Sequence, residues 1–177
     1  GQKRGLSHRI VRALVDIYKL SSVEELSQKI DMVLRKLKSS YDGQKNEPEI
    51  QKLKGMIREF EEELVWAHYG VQVKDVQHLR LGFYQGETFT EAPERERDVL
   101  PILDLLREKE PDIITLALAP EGSGPDTHYK VLQAMADAIR IWGKEKNLSH
   151  VRVWGYRNVW FRFTPAEADI IVPVSIN

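Results

Sequence analysis

The chain has no cysteine at all, which excludes structural disulfides, thiolate zinc sites and cysteine nucleophiles. It has no excess of either charge: Lys and Arg number 26 and Asp and Glu 27, for a formal net charge of -1. Nucleic acid is therefore not the expected partner. No apolar run is long enough to span a bilayer and no secretory signal is visible, so no membrane partner is expected and the expected location is the cytoplasm. Internal repeats and low-complexity segments are absent too. The histidines His8, His68, His78, His128 and His150 stand in separate stretches and form no HxxxH or HExxH pair. What remains is 177 residues, the length of one domain with a proper core.

The stretch that organises the rest is 111–142. Ile113-Ile114-Thr115-Leu116-Ala117-Leu118 is a short continuous apolar run entered through Pro111, which reads as a strand buried on both faces. Glu121-Gly122-Ser123-Gly124-Pro125-Asp126 follows as a loop without an apolar anchor. Val131, Leu132, Met135, Ala138, Ile139 and Trp142 then fall at helical spacing. This predicts one strand-loop-helix unit of a parallel α/β sheet, and such sheets place ligands at the carboxyl ends of their strands. The residue with chemistry at that edge is His128, in the first turn of the helix.

Upstream, Leu6, Ile10, Val11, Leu14, Ile17 and Tyr18 follow a helical period. Ser21-Ser22-Val23-Glu24 resembles a capping box ahead of a second stripe, Leu26, Ile30, Val33, Leu34 and Leu37. Asn46, with Pro48 in the first turn, starts a third helix through Ile50, Leu53, Ile57, Phe60, Leu64 and Ala67, and Gly70 is placed to end it. Beyond Gly70, strands are expected at Val76–Phe83, Val151–Trp154, Asn158–Thr164 and Asp169–Val174, with a helix through Val99, Leu100, Leu103 and Leu106. The expected organisation is a single domain or domain fragment over 1–177: a helical segment over 1–70, then an α/β portion over 71–177. The fold class is α/β and Rossmann-like, with a mostly parallel, incomplete sheet flanked by helices.

Three groups of residues could carry chemistry. An imidazole at His128 can coordinate a metal, bind an anion with the helix N-terminus, or move a proton, although a solvated first-turn histidine is the commoner outcome. Asp126 and Glu121 are the carboxylates in its loop. Arg58 and Glu61, three apart on the third helix, share a face and are an exposed ion pair unless that face lines a cleft. Trp154, Tyr156, Trp160, Phe161 and Phe163, interleaved with Arg152, Arg157 and Arg162, suggest a packed sheet edge more than a ligand wall.

In order along the chain these pieces resemble a known family. Lys52-Leu53-Lys54-Gly55-Met56-Ile57-Arg58-Glu59-Phe60-Glu61 is similar to the "KGxIRxxE" helix of LmbE/PIG-L-type N-acetylglucosamine deacetylases, in the bacterial branch fused behind a glucosamine-6-phosphate deaminase domain. His78-Leu79-Arg80-Leu81-Gly82-Phe83-Tyr84 resembles its "HFLxLPFYETG", and Thr127-His128 with Leu132 its "GTHxxxL" helix start. Val153-Trp154-Gly155-Tyr156-Arg157-Asn158-Val159-Trp160 resembles "VWLYRGAW", and Ile171-Val172-Pro173-Val174-Ser175 the "MAVPLS" ending. The resemblance runs from about Ile50 to the end.

It implies a Rossmann-like layer and zinc-dependent hydrolysis of an acetamide on an amino sugar or sugar phosphate. His128 would be the third zinc ligand, and Arg58, with Glu61 and Asp126, would hold the sugar. The chain departs from the family where it matters most. It contains no His-Pro-Asp-Asp motif, which carries the base and the other two ligands, and Pro125 stands where the family often has a second histidine. The expectation is the carboxyl-terminal part of such a domain, inactive by itself, binding no zinc tightly, and either homo-oligomeric or attached to a deaminase domain. The alternative is a non-catalytic module that binds a sugar phosphate or mediates assembly.

Overall fold

The computed structural model of the chain describes residues 2–83, 91–118, 126–156 and 164–171. The expected strand at Asn158–Thr164 and the loop residues from Glu121 to Pro125 lie almost wholly outside them. Among the described residues there are five α-helices and two β-strands. The chain divides into two compact units, Gly1–His78 and Leu79–Asn177.

The first unit is helical: α1 (Gln2–Tyr18), α2 (Val23–Ser39) and α3 (Pro48–His68). Their apolar stripes meet in a core of Ala13, Leu14, Val33, Ile50 and Leu53, with Ile10, Ile17, Leu26, Ile30 and Ile57 around it. Two of the helices end by a left-handed residue. Lys19 enters the left-handed region at φ 54 after α1, and Gly70 does so at φ 84 after α3. The cap of α2 sits one residue later than the sequence pattern suggested. Ser22, not Ser21, is the N-cap, and its Oγ accepts from the Glu25 N–H at 3.1 Å. The Glu25 carboxylate reaches back to accept from the Ser21 N–H at 2.8 Å and its hydroxyl at 3.0 Å. These Ser21 bonds hold the Glu25 carboxyl below the usual range.

No strand forms at Val76–Phe83. The segment is irregular after a 3-10 turn at Val73–Asp75, and Arg80 takes a left-handed φ of 50 that no strand interior tolerates. Alternation alone had suggested pairing, but backbone at Arg80 forbids it. Of the strand expected at Asp169–Val174, Asp169, Ile170 and Ile171 carry none and the remainder lies outside the described residues.

In the second unit, a single π turn at Arg95–Val99 leads into α4 (Leu100–Lys109), followed by β1 (Ile113–Ala117), α5 (Asp126–Glu145) and β2 (Arg152–Tyr156). Pro101 explains the wide turn. Lacking an N–H, it cannot bond the carbonyl four residues back, and the preceding turn relaxes so that Val99 and Leu100 bond five residues back, to Glu94 and Arg95. α4 stops at Glu110, left-handed at φ 43, one residue before Pro111.

β1 and β2 pair in parallel, Ile113 opposite Arg152 through Ala117 opposite Tyr156. The crossover between them is α5, as a parallel pair requires. α4 and α5 cover one face through Ile102, Leu103, Leu106, Ala134, Ala138 and Trp142, burying Ile114 and Leu116. The other face is open: Ile113 and Thr115 are exposed, so β1 is not buried on both faces as its apolar run implied. The expected fold class holds at this level, an α/β unit with a small parallel sheet behind a helical amino-terminal segment.

Gly155 lies under the side chain of Leu118, which itself packs on this core. A methyl group at 155 would overlap the Leu118 Cγ, not merely its flexible tip. Gly155→Ala should therefore destabilise the unit by about 1–3 kcal/mol, the usual penalty of overpacking, read as a lowered urea midpoint with unchanged slope.

Candidate functional site

α5 is set close against α4 and β1 because Ala134 and Ala138, one turn apart, carry only a methyl group each, and Trp142 one turn further fills the end of the layer. Leu132, Met135 and Ile139 pack beside them. This fixes the first turn of α5, which carries His128, downstream of the carboxyl end of β1. The His128 side chain is half-buried. Asp126 is the first residue of α5 and His128 the third, so the two belong to one helix start, where the helix dipole favours an anion.

Arg58 and Glu61 are both exposed on α3, in the first unit, whereas His128 and Asp126 belong to the second. Among the described residues no three His, Asp or Glu side chains cluster in a way that could hold a metal ion. Zinc needs three protein ligands and an open position, and His128 by itself does not fit that requirement.

The most constrained polar group among the described residues of the second unit has no local signature in the sequence. Asp98, in the π turn, is fully buried. Its Oδ1 accepts from the backbone N–H groups of Gly82 (2.7 Å) and Phe83 (3.3 Å). Its Oδ2 accepts from the Glu94 N–H (2.8 Å) and from Arg97 Nε (3.1 Å), with Arg97 Nη2 at 3.0 Å. Burial pushes the carboxyl up, but the Arg97 guanidinium and the Glu94 and Gly82 amides outweigh it and hold it below the usual carboxylate range. Arg97 is in turn held charged by Asp98 and by Glu91 at 2.5 Å. A carboxylate with both oxygens occupied and its proton affinity depressed is a poor general base. Asp98 pins the 82–83 turn to the start of α4. No local pattern in the sequence signals this role: Asp98 does not cap α4, whose N-cap is Val99 without a side-chain bond.

The first unit has a smaller polar cluster. Glu63, nearly buried, lies 3.4 Å from Arg9 Nη2 and 3.6 Å from His78 Nε2, and the Arg9 guanidinium stacks over Phe60 at 5.4 Å. It ties α1, α3 and the segment after α3 together.

No family model matches the chain, and no solved structure matches it. A curated relative does: a protein of Bacteroides thetaiotaomicron named as glucosamine-6-phosphate deaminase-like is 30% identical over 155 residues, 85% of this chain and 23% of the relative. The chain thus spans about a quarter of that relative's length, and what it shares with the relative is sequence kinship to a protein named for amino-sugar chemistry.

Proposed function

We propose that the chain is the carboxyl-terminal part of an LmbE/PIG-L-like amino-sugar N-deacetylase domain within a longer deaminase-like protein, and that His128 is its contribution to the metal centre. The observation that carries this reading is the placement of His128 in the first turn of α5, just after the carboxyl end of the parallel strand β1, in a chain akin to a deaminase-like relative. When bound, zinc would polarise the acetamide carbonyl and acidify a water. The imidazole at the start of α5 supplies one fixed nitrogen, oriented by a helix that Ala134, Ala138 and Trp142 lock against the sheet. The remaining ligands and the base come from residues beyond those described. Arg58 and Glu61 carry no part of this proposal.

The test has two arms. In the full-length protein, acetate release from N-acetylglucosamine 6-phosphate and zinc retention are measured for wild type and His128→Ala. Losing a direct ligand should lower both by roughly 100-fold or more, above the 10–100-fold cost of losing an outer-shell partner. Unchanged activity and zinc content in His128→Ala would refute the assignment. For the 177-residue chain alone, calorimetry should find only weak zinc binding. Stoichiometric submicromolar binding there would mean that this chain holds a complete metal site of its own.

A further inference from the structure

The second half of α3 carries an apolar face that nothing in the first unit covers. The helix has 21 residues against 17 in α1 and 17 in α2. Its core-facing stripe begins buried at Ile50 and Leu53, continues half-buried at Ile57 and Phe60, and emerges exposed at Leu64 (44%) and Val65 (51%). Glu61, Leu64, Val65, His68 and Tyr69 line one shallow groove. Their spacing of three, one, three and one residues puts the first four within one side of the helix. Tyr69, 76% exposed and set edge-on to the His68 ring at 5.4 Å, closes the groove at its end. A stripe that begins as core and ends in water is the mark of an interaction surface.

We infer that this face pairs with its own counterpart in a second copy of the chain, the two α3 helices lying antiparallel about a two-fold axis between Leu64 and Val65. The polar residues at its two ends, a carboxylate and an imidazole, select this occupant. Glu61 stands three residues before Leu64 and His68 three residues after Val65, and both line the groove. An antiparallel two-fold therefore sets each Glu61 carboxylate opposite the partner's imidazole N–H and each Leu64 opposite a Val65, so that one patch satisfies itself, as an isologous interface must. A parallel arrangement would instead bring Glu61 against Glu61. The patch is two turns of helix, about 11 Å long, too short to bury the roughly 800 Å² per partner of a standard stable interface. The dimer is accordingly a micromolar, concentration-dependent one, with the aromatic Tyr69 anchoring each end.

Sedimentation velocity of the chain across the micromolar range tests this. Wild type should shift from monomer to dimer with concentration. Leu64→Asp, at an exposed position where circular dichroism will report an intact fold, should remain monomeric throughout. Glu61→Lys and His68→Glu should each weaken association about 10-fold, since each sets like or uncompensated charges opposite one another. Combining them sets a lysine opposite a glutamate and should recover most of the affinity. A wild type that stays monomeric at the highest concentration would overturn the inference and leave the face to a different partner. A dimer indifferent to Leu64→Asp and to both charge changes would place the interface elsewhere and overturn it equally.

Discussion

Asp98→Ala should cost the second unit about 3 kcal/mol, on the scale of about 1–3 kcal/mol for each buried polar group left without its partner. The loss has two sources. Three backbone N–H groups, those of Gly82, Phe83 and Glu94, lose their acceptor together, in a region where Phe83 is itself buried. Arg97 keeps Glu91 but loses the carboxylate that fixes its guanidinium across Gly82, a position where any side chain would overlap the arginine stem. With the turn released, the start of α4 loses its anchor. Because the folded carboxyl is held below its ordinary value, the unfolded chain binds the proton more readily than the folded one. The contribution of Asp98 is thus present in full above the unfolded carboxylate value near pH 4, and is lost as the pH falls from there through the lower folded value. Urea unfolding at neutral pH and across the acid limb measures both effects. Asp98→Asn should be destabilised at neutral pH and should lose part of the acid dependence that wild type shows. A stability for Asp98→Ala within 1 kcal/mol or so of wild type would mean that water replaces the carboxylate and that the network is not what holds the turn.

How much of this was legible in the sequence depends on the range of the forces involved. The helices of the first unit were readable because a 3.6-residue stripe such as Ile10, Leu14 and Ile17 has one physical interpretation, and their ends because Gly70 and Pro48 act within a single turn. The same local reading misplaced the α2 cap by one residue, since Ser21, Ser22, Glu24 and Glu25 offer two overlapping boxes and only backbone geometry selects one. β1, α5 and β2 were readable as a parallel unit from Ile113 to Trp154 because length and apolar continuity agreed. One-sided burial of β1 was not readable, because Ile113 and Ile114 look alike until the neighbouring layer is known. Val76–Phe83 failed for a related reason: a strand needs a partner, and alternating residues do not say whether one exists. Asp98 was invisible because its donors come from residues 15 and 16 positions away as well as from its own turn. The candidate site follows the same division. The position of His128 at a helix start could be read locally, whereas whether other ligands converge on it is a tertiary question that spacing does not answer.

Trp142→Ala should be the most damaging core substitution, lowering stability by about 3–5 kcal/mol. Trp142 is 2% exposed, the largest of the fully buried side chains, and it stands four residues beyond Ala138 on the face of α5 that meets α4 and β1. Its ring compensates for the small residues before it: Ala134 and Ala138 let the helix approach, and the indole fills the space that opens where α5 runs on past them. Truncation leaves a cavity in a layer that relaxes only partly around a lost side chain, which adds to the lost burial. Burial is what decides the effect, and a tryptophan of the other kind provides the control. Trp66, 45% exposed on α3, should lose about 1 kcal/mol or less when replaced by alanine. Beyond stability, the cavity loosens the helix that carries His128 at its other end, so amide hydrogens across α5 and β1 should exchange faster in Trp142→Ala than in wild type. Equal losses from Trp142→Ala and Trp66→Ala in urea unfolding, or unchanged exchange protection in α5, would show that the layer is not organised around this ring.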